Sequence, residues 1–418
     1  MNQIKHCAIA IAPDCNYEWV IANLVNGNLL RDHIEMPAGS GALYSIITID
    51  ELIREELLHD HFEITNATNA SLKSMSSGEQ KNALLKYLIH KQPSFIVMDN
   101  VLDNLDTAAQ ENIILTLQEI ADHTLIIQVI NRKKDILPFI QIVFTIKKNV
   151  VVEEQTIGQY LESHDTIKKE LPGKIPPALH TYDLPRGPLV QLKNVSVSYD
   201  ERPILDTINW TINPGEFWQL AGPNGSGKST ILSLITGDNP KGYGQDLTLF
   251  GIKKGSGEAV WDIKKNIGYL NPTLTQFFPR LDSVENMLLS GFFDSIGLYS
   301  IPNETQVKTA DAWLQLIGLY EKRSQPFCFL PLGKQRMVMV ARAMVKHPPL
   351  LILDEPAAGL DDDNVLLFTA LINMIAAETT TAILYVSHRP EPGLEPAHVF
   401  ELIPHATGSK GIIRKGAS

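Results

Sequence analysis

The chain has little cysteine: Cys7, Cys15 and Cys328 are the only three among 418 residues. So small and odd a number gives no disulfide framework, and each reads as a small buried hydrophobe. Basic residues are also short, 36 against 47 acidic ones, for a net charge of −11. That balance removes any general electrostatic case for nucleic-acid binding. Long apolar runs are missing as well. No stretch reaches the roughly 18 residues that a membrane-spanning helix needs, and the early run Ala8–Ala12 is too short for a signal peptide. These absences predict a reducing, cytoplasmic setting, with peripheral attachment at the inner face of the plasma membrane left open.

What the chain does have is an ordinary apolar content of 44% over a length that suits two or three domains. Its most informative stretch is Gly222-Pro223-Asn224-Gly225-Ser226-Gly227-Lys228-Ser229-Thr230, a G-x-x-x-x-G-K-[ST] phosphate-binding loop. Glycines without Cβ atoms let consecutive backbone N–H groups curl around a phosphate. A helix that starts there adds its positive N-terminal end. Lys228 would reach the β- and γ-phosphates, and the Ser229 hydroxyl would hold Mg²⁺. The apolar run Phe217–Ala221 before the loop and the run after Thr230 supply the strand and helix that the motif requires.

The rest of the chain reads as two α/β regions, 1–165 and 188–418, around a Pro- and Gly-rich linker at 166–187. Phe95–Met98 and Leu125–Ile130 are continuous apolar runs, as buried parallel strands are, with a helical pattern at Ala108–Ile120 between them. The halves echo each other. Met98-Asp99-Asn100 matches Leu353-Asp354-Glu355, and Asn131 matches His388. Gly78 and Asp99 stand 21 positions apart, as Gly333 and Asp354 do. Asp354, at a strand end, would join the Mg²⁺ shell. Glu355 would polarise the attacking water, and His388, after the run Ala382–Val386, would contact the γ-phosphate.

This set resembles the ATP-binding cassette (ABC) ATPases. The features that carry it are the phosphate loop, the strand Leu350–Pro356, the D-loop-like Ala358-Gly359-Leu360-Asp361 and His388. The segments Leu289–Tyr299 and His347-Pro348-Pro349 look like the tandem-cassette branch associated with molybdate transport or photorepair. The resemblance implies two P-loop NTPase domains of RecA-like α/β fold with mostly parallel sheets, the helical subdomain being retained only in the second. It also implies ATP and Mg²⁺ as cofactors. Tyr199 stands where the family stacks an aromatic ring on adenine, although a lone aromatic there serves a core equally well.

In the family each ATP lies between the phosphate loop of one cassette and the L-S-G-G-Q signature of another. In the second half that signature is degraded to Leu330-Pro331-Leu332-Gly333-Lys334, with a proline where a serine would donate. The first half keeps Met75-Ser76-Ser77-Gly78-Glu79, in which Ser76 and Glu79 also form a helix-capping box. Yet its catalytic positions are Asn100 and Asn131. The resemblance therefore implies an intramolecular pseudo-dimer with one working site, built from the second half's loop and Ser76, Ser77, Gly78 and Glu79.

Two departures stand out. Gly39-Ser40-Gly41-Ala42-Leu43 is either a relic of the first half's phosphate loop or a plain turn. If it is a relic, 37 positions separate Gly41 from Gly78 where 106 separate Gly227 from Gly333, an abridgement of about 69 residues. The glutamine expected soon after Ile267–Leu270 is also missing, and Gln276 is the nearest candidate for that metal contact. The expected function is ATP hydrolysis, as the motor of a transporter with a membrane permease partner and a small oxyanion such as molybdate. A slow regulatory clamp is the alternative, and a translation or nucleic-acid factor ranks third.

Overall fold

The computed structural model describes residues 4–416 except 13, 40, 60, 66–70, 76, 104, 163–170, 272–277 and 279–280. The chain divides into two compact units, Met1–Ile167 and Lys168–Ser418.

The first unit runs β1 (Cys7–Ile11), α1 (Tyr17–Val25), β2 (Ala42–Tyr44), α2 (Ile46–His59), α3 (Ser77–Lys91), β3 (Phe95–Asp99), α4 (Thr107–Ala121), β4 (Leu125–Ile130), β5 (Ile142–Lys147), β6 (Val150–Thr156) and α5 (Ile157–Glu162). Its sheet has the order β2-β3-β4-β1-β5-β6, and only the β5–β6 pairing is antiparallel. Strands β3 and β4 are apolar except for Asp99 and Gln128 because both faces are covered. Ile96 and Met98 pack into one core with Leu84 and Leu117, and Phe95 and Val97 into the other with Val20 and Leu24.

The second unit runs β7 (Val190–Tyr199), β8 (Arg202–Ile212), β9 (Phe217–Ala221), α6 (Lys228–Ile235), β10 (Asp246–Leu249), β11 (Ile252–Lys253), α7 (Val260–Lys264), β12 (Ile267–Leu270), α8 (Val284–Leu289), α9 (Glu304–Leu316), α10 (Leu332–Met344), β13 (Leu350–Asp354), α11 (Asp362–Glu378), β14 (Ala382–Val386), β15 (His398–Ile403) and β16 (Lys410–Lys415). Its main sheet, β12-β13-β14-β9-β15-β16, repeats the first unit's order strand for strand. A second sheet, β11-β10-β7-β8, is antiparallel. Trp210 of β8 stacks on Phe400 of β15, with ring centroids 4.2 Å apart, and ties this sheet to the main one.

Among the described residues, α8 and α9 lie between β12 and α10 in the second unit, whereas α2 and a single 3-10 turn, Leu72–Ser74, lie between β2 and α3 in the first. Residues 171–187, read from sequence as linker, pack on the second unit. Leu171 and Ile175 join its core, and the Ile175 N–H donates to Glu378 Oε2 at 2.8 Å. One cysteine departs from expectation: Cys7 is buried and Cys15 half-buried, but Cys328 is exposed, in the turn that leads to Pro331. Among the described residues no helix is long and apolar enough to cross a membrane.

Candidate active site

Strand β9 lies inside the second unit's sheet, between β14 and β15, so its end is fixed from both sides. The loop that follows needs glycine. Gly222 has φ 149° and Gly227 φ 95°. A Cβ at Gly222 would meet Leu402 O at 2.8 Å, and one at Gly227 would meet Leu205 Cδ2 at 2.7 Å. Asn224, Gly225 and Ser229 are exposed, and Thr230 is half-buried. Gly227 caps α6, whose first residue is Lys228. The Lys228 ammonium is buried and donates to the Gly222 and Pro223 carbonyls at 2.7 and 3.0 Å. The Ser226 hydroxyl is buried without a hydrogen-bond partner. Such an atom costs about 1–3 kcal/mol, a cost that phosphate oxygens would remove.

The carboxylates come from β13. Its register with β14 sets Asp354 opposite Val386, and the Glu355 N–H donates to the Val386 carbonyl at 2.9 Å. Glu355 takes the left-handed φ of 44°, strain of the kind found at functional turns. His388 Nδ1 lies 3.2 Å from Glu355 Oε1, and His388 Nε2 is buried without a partner. Burial pushes Glu355 up, but the His388 hydrogen bond and the charges of His388, Lys228 and Arg389 outweigh it and hold the carboxyl below its ordinary value. Glu355 is thus ionised at neutral pH, as a base must be.

Asp354 goes the other way. Burial and the Glu355 charge raise it to about 6, against the pull of Tyr269, Lys228 and Asn271. Asp354 therefore takes up a proton as pH falls through about 6, and a protonated carboxyl is a poor cation ligand. Binding of Mg·ATP is expected to release protons near pH 6 and none near pH 8. Calorimetry in two buffers of different ionisation enthalpy measures this, and Asp354→Asn is expected to abolish the difference.

Asn271 is a contact that the sequence reading missed. Its Nδ2 donates to Asp354 Oδ2 at 3.1 Å, and the Tyr269 hydroxyl donates to the same oxygen at 3.4 Å. Gln276, expected in this role, lies outside the described residues. Tyr199 keeps a ring 39% exposed. Its hydroxyl accepts from Asn239 Nδ2 at 2.8 Å, beyond the far end of α6, while Ile204 and Leu205 are the β8 side chains against Gly227.

The first unit shows what happened to its own site. In the second unit β9 pairs β14 with Leu220 opposite Val386, and in the first β1 pairs β4 with Ile9 opposite Val129. Asp354 faces Val386 as Asp99 faces Val129. With Ile9 on Leu220, Tyr17 falls on Lys228 and Asn16 on Gly227 with no gap. The two residues begin equivalent helices. The connection between β1 and α1 thus takes the place that the phosphate loop has between β9 and α6. Gly39–Leu43 is a different place, leading into β2, the counterpart of β12. The Tyr17 hydroxyl donates to Asp99 Oδ1, which also accepts from Asn100 Nδ2 at 2.8 Å. Asn100 has φ 48°, matching Glu355 at 44°.

The two signature segments open equivalent helices. Ser77, Gly78 and Glu79 form the first turn of α3, and Ser76 lies outside the described residues. A Cβ at Gly78 would come no closer than 3.6 Å to another side chain, Leu105. At α10 the cap is Pro331 with no side-chain hydrogen bond, and Leu332 is 41% exposed.

Comparison with known proteins agrees with this geometry. The family model described as "ABC transporter" matches residues 205–358. The ABC transporter ATP-binding protein ModF of Escherichia coli K12 is 36% identical over 92% of this chain and 82% of its own length. An uncharacterized ABC transporter ATP-binding protein of Schizosaccharomyces pombe is 29% identical over 78% of this chain and 67% of its own. Among solved structures, ribosome-bound archaeal Pelota and ABCE1 aligns with a TM-score of 0.64 at 14% identity, over 98% of this chain and 75% of that one, a likeness of fold. With the ATP-handling residues assembled in one unit and relatives of this kind across most of its length, the chain belongs to the ATP-binding proteins of ABC transporters and is an ATPase that binds ATP.

Proposed function

We propose that this chain hydrolyses ATP at one site only, as the ATP-binding component of a transporter with a membrane permease partner. The observation that carries this is the pair of equivalent positions Lys228 and Tyr17. In the second unit a lysine opens the helix and Asp354 is available to a cation. In the first a tyrosine takes that place and is bonded to Asp99. The phosphate loop binds the triphosphate through its N–H groups and Lys228. Ser229 and Asp354, both hard oxygen donors, fit Mg²⁺, which would neutralise charge that builds on the phosphates. Glu355 takes the proton of the attacking water, and His388 holds Glu355 in place. The family resemblance assigns the remaining group, a signature serine, to Ser76, with Ser77, Gly78 and Glu79 after it in the sequence.

Resemblance to the E. coli transporter protein supports a permease partner, and the motifs Leu289–Tyr299 and His347-Pro348-Pro349 support a small oxyanion such as molybdate as the cargo. The chain would then work in the cytoplasm, at the inner face of the membrane. The short interval between β2 and α3 favours a second reading, a regulatory clamp that closes on ATP, because permeases dock on the helical insertion. Oxyanion uptake by cells lacking the chain separates the two: it falls for a transporter and is unchanged for a clamp.

Equilibrium titration with a non-hydrolysable ATP analogue tests the single site. One analogue per chain is expected, with binding lost in Lys228→Ala. Two per chain contradicts the reading.

A further inference from the structure

We propose that Asn271, with Tyr269 in support, is the positioning residue for the metal-holding carboxylate. The inference rests on the reading of the second unit as a metal-dependent ATP site. Three observations carry it.

The first is register. Strand β12 pairs with β13 so that Leu270 stands opposite Leu353. The next residue along, Asn271, therefore meets Asp354 at the shared strand ends. The second is chemistry. The Asn271 amide and the Tyr269 phenol both donate to one carboxylate oxygen, Oδ2, at 3.1 and 3.4 Å. Two donors on one oxygen fix the plane of the carboxylate and direct the other oxygen, Oδ1, to a ligand. Hydrogen-bonded carboxylates of this kind hold cations better because their orientation is set in advance.

The third is the contrast between the two units. Strand β2 pairs with β3 in the same way, Tyr44 opposite Met98, which makes Ser45 the counterpart of Asn271. Ser45 turns to its own helix instead, accepting from the Thr48 N–H at 3.2 Å. Asp99 there is bonded through Oδ1 to Tyr17 and Asn100. The unit that keeps Lys228 thus has an amide on Oδ2 of its aspartate, and the unit with Tyr17 has Oδ1 of its aspartate occupied.

The test is a Mn²⁺ titration by electron paramagnetic resonance, with full-length protein and a non-hydrolysable ATP analogue. Asn271→Ala is expected to weaken Mn²⁺ binding roughly 10- to 100-fold, the usual effect of losing an outer-shell partner. Its affinity for the analogue in EDTA and its thermal unfolding should match wild type. Saturating Mg²⁺ should restore most of its turnover, a rescue that general misfolding would not show. Mn²⁺ affinity within about two-fold of wild type overturns the role of Asn271. Wild-type protein that binds no Mn²⁺ with the analogue overturns the metal-dependent site itself.

Discussion

Glu355→Gln is expected to lower ATP turnover by about two to four orders of magnitude, the usual worth of a positioned general base. The substitution keeps the size of the side chain and a hydrogen-bonding partner for His388, and removes only the ability to accept a proton. Geometry makes the loss hard to compensate. The residue is held in a left-handed turn with φ 44°, its N–H is tied to the Val386 carbonyl, and its carboxylate faces His388 Nδ1 at 3.2 Å. No second carboxylate is equally suited, because Asp354 is raised to about 6 and is the group that fits the cation. Nucleotide affinity should be unchanged, since Lys228 and the loop N–H groups are untouched. Single-turnover phosphate release measures the effect. A fall of less than about ten-fold assigns the base to another group.

Much of this site was legible in the sequence, for a physical reason. Gly222, Gly227, Lys228, Asp354, Glu355 and His388 each belong to a short motif whose chemistry is local, so residue types and spacing suffice. The repeated fold was legible from the strand runs Phe95–Met98 and Leu350–Leu353 and their following acidic residues. What was missed depends on register. Tyr17 shares no residue type with a phosphate-loop lysine. Its place emerges only when β1 and β9 are seen in the same position of two equally ordered sheets. Gly39 and Gly41 drew attention through their likeness to Gly225-Ser226-Gly227, yet they lead into β2, at an edge of that sheet. The range of a side chain explains the glutamine. Gln276 was sought by distance along the chain, whereas Asn271 reaches Asp354 across a strand pair, 83 positions away in sequence. Cys328 was read as buried because cysteines usually are, and it lies instead on an exposed turn.

The second large effect concerns the half that has lost its own chemistry. The family resemblance makes Ser76 the signature serine, one position before α3 in the sequence, and the matching residue of the second unit, Pro331, has neither hydroxyl nor N–H. The pairing that the family resemblance implies would make turnover depend on Ser76. Removing one donor to developing phosphate charge costs about 10²- to 10³-fold in rate. Leu332→Ala, at the degraded signature, should change turnover little, because the leucine side chain has no donor to lose. The most direct measurement is therefore steady-state ATP turnover of purified Ser76→Ala. A loss of about 10²-fold or more, with folding intact, is what a single composite site predicts. Turnover equal to wild type would contradict it, and would leave the second unit hydrolysing ATP without the first.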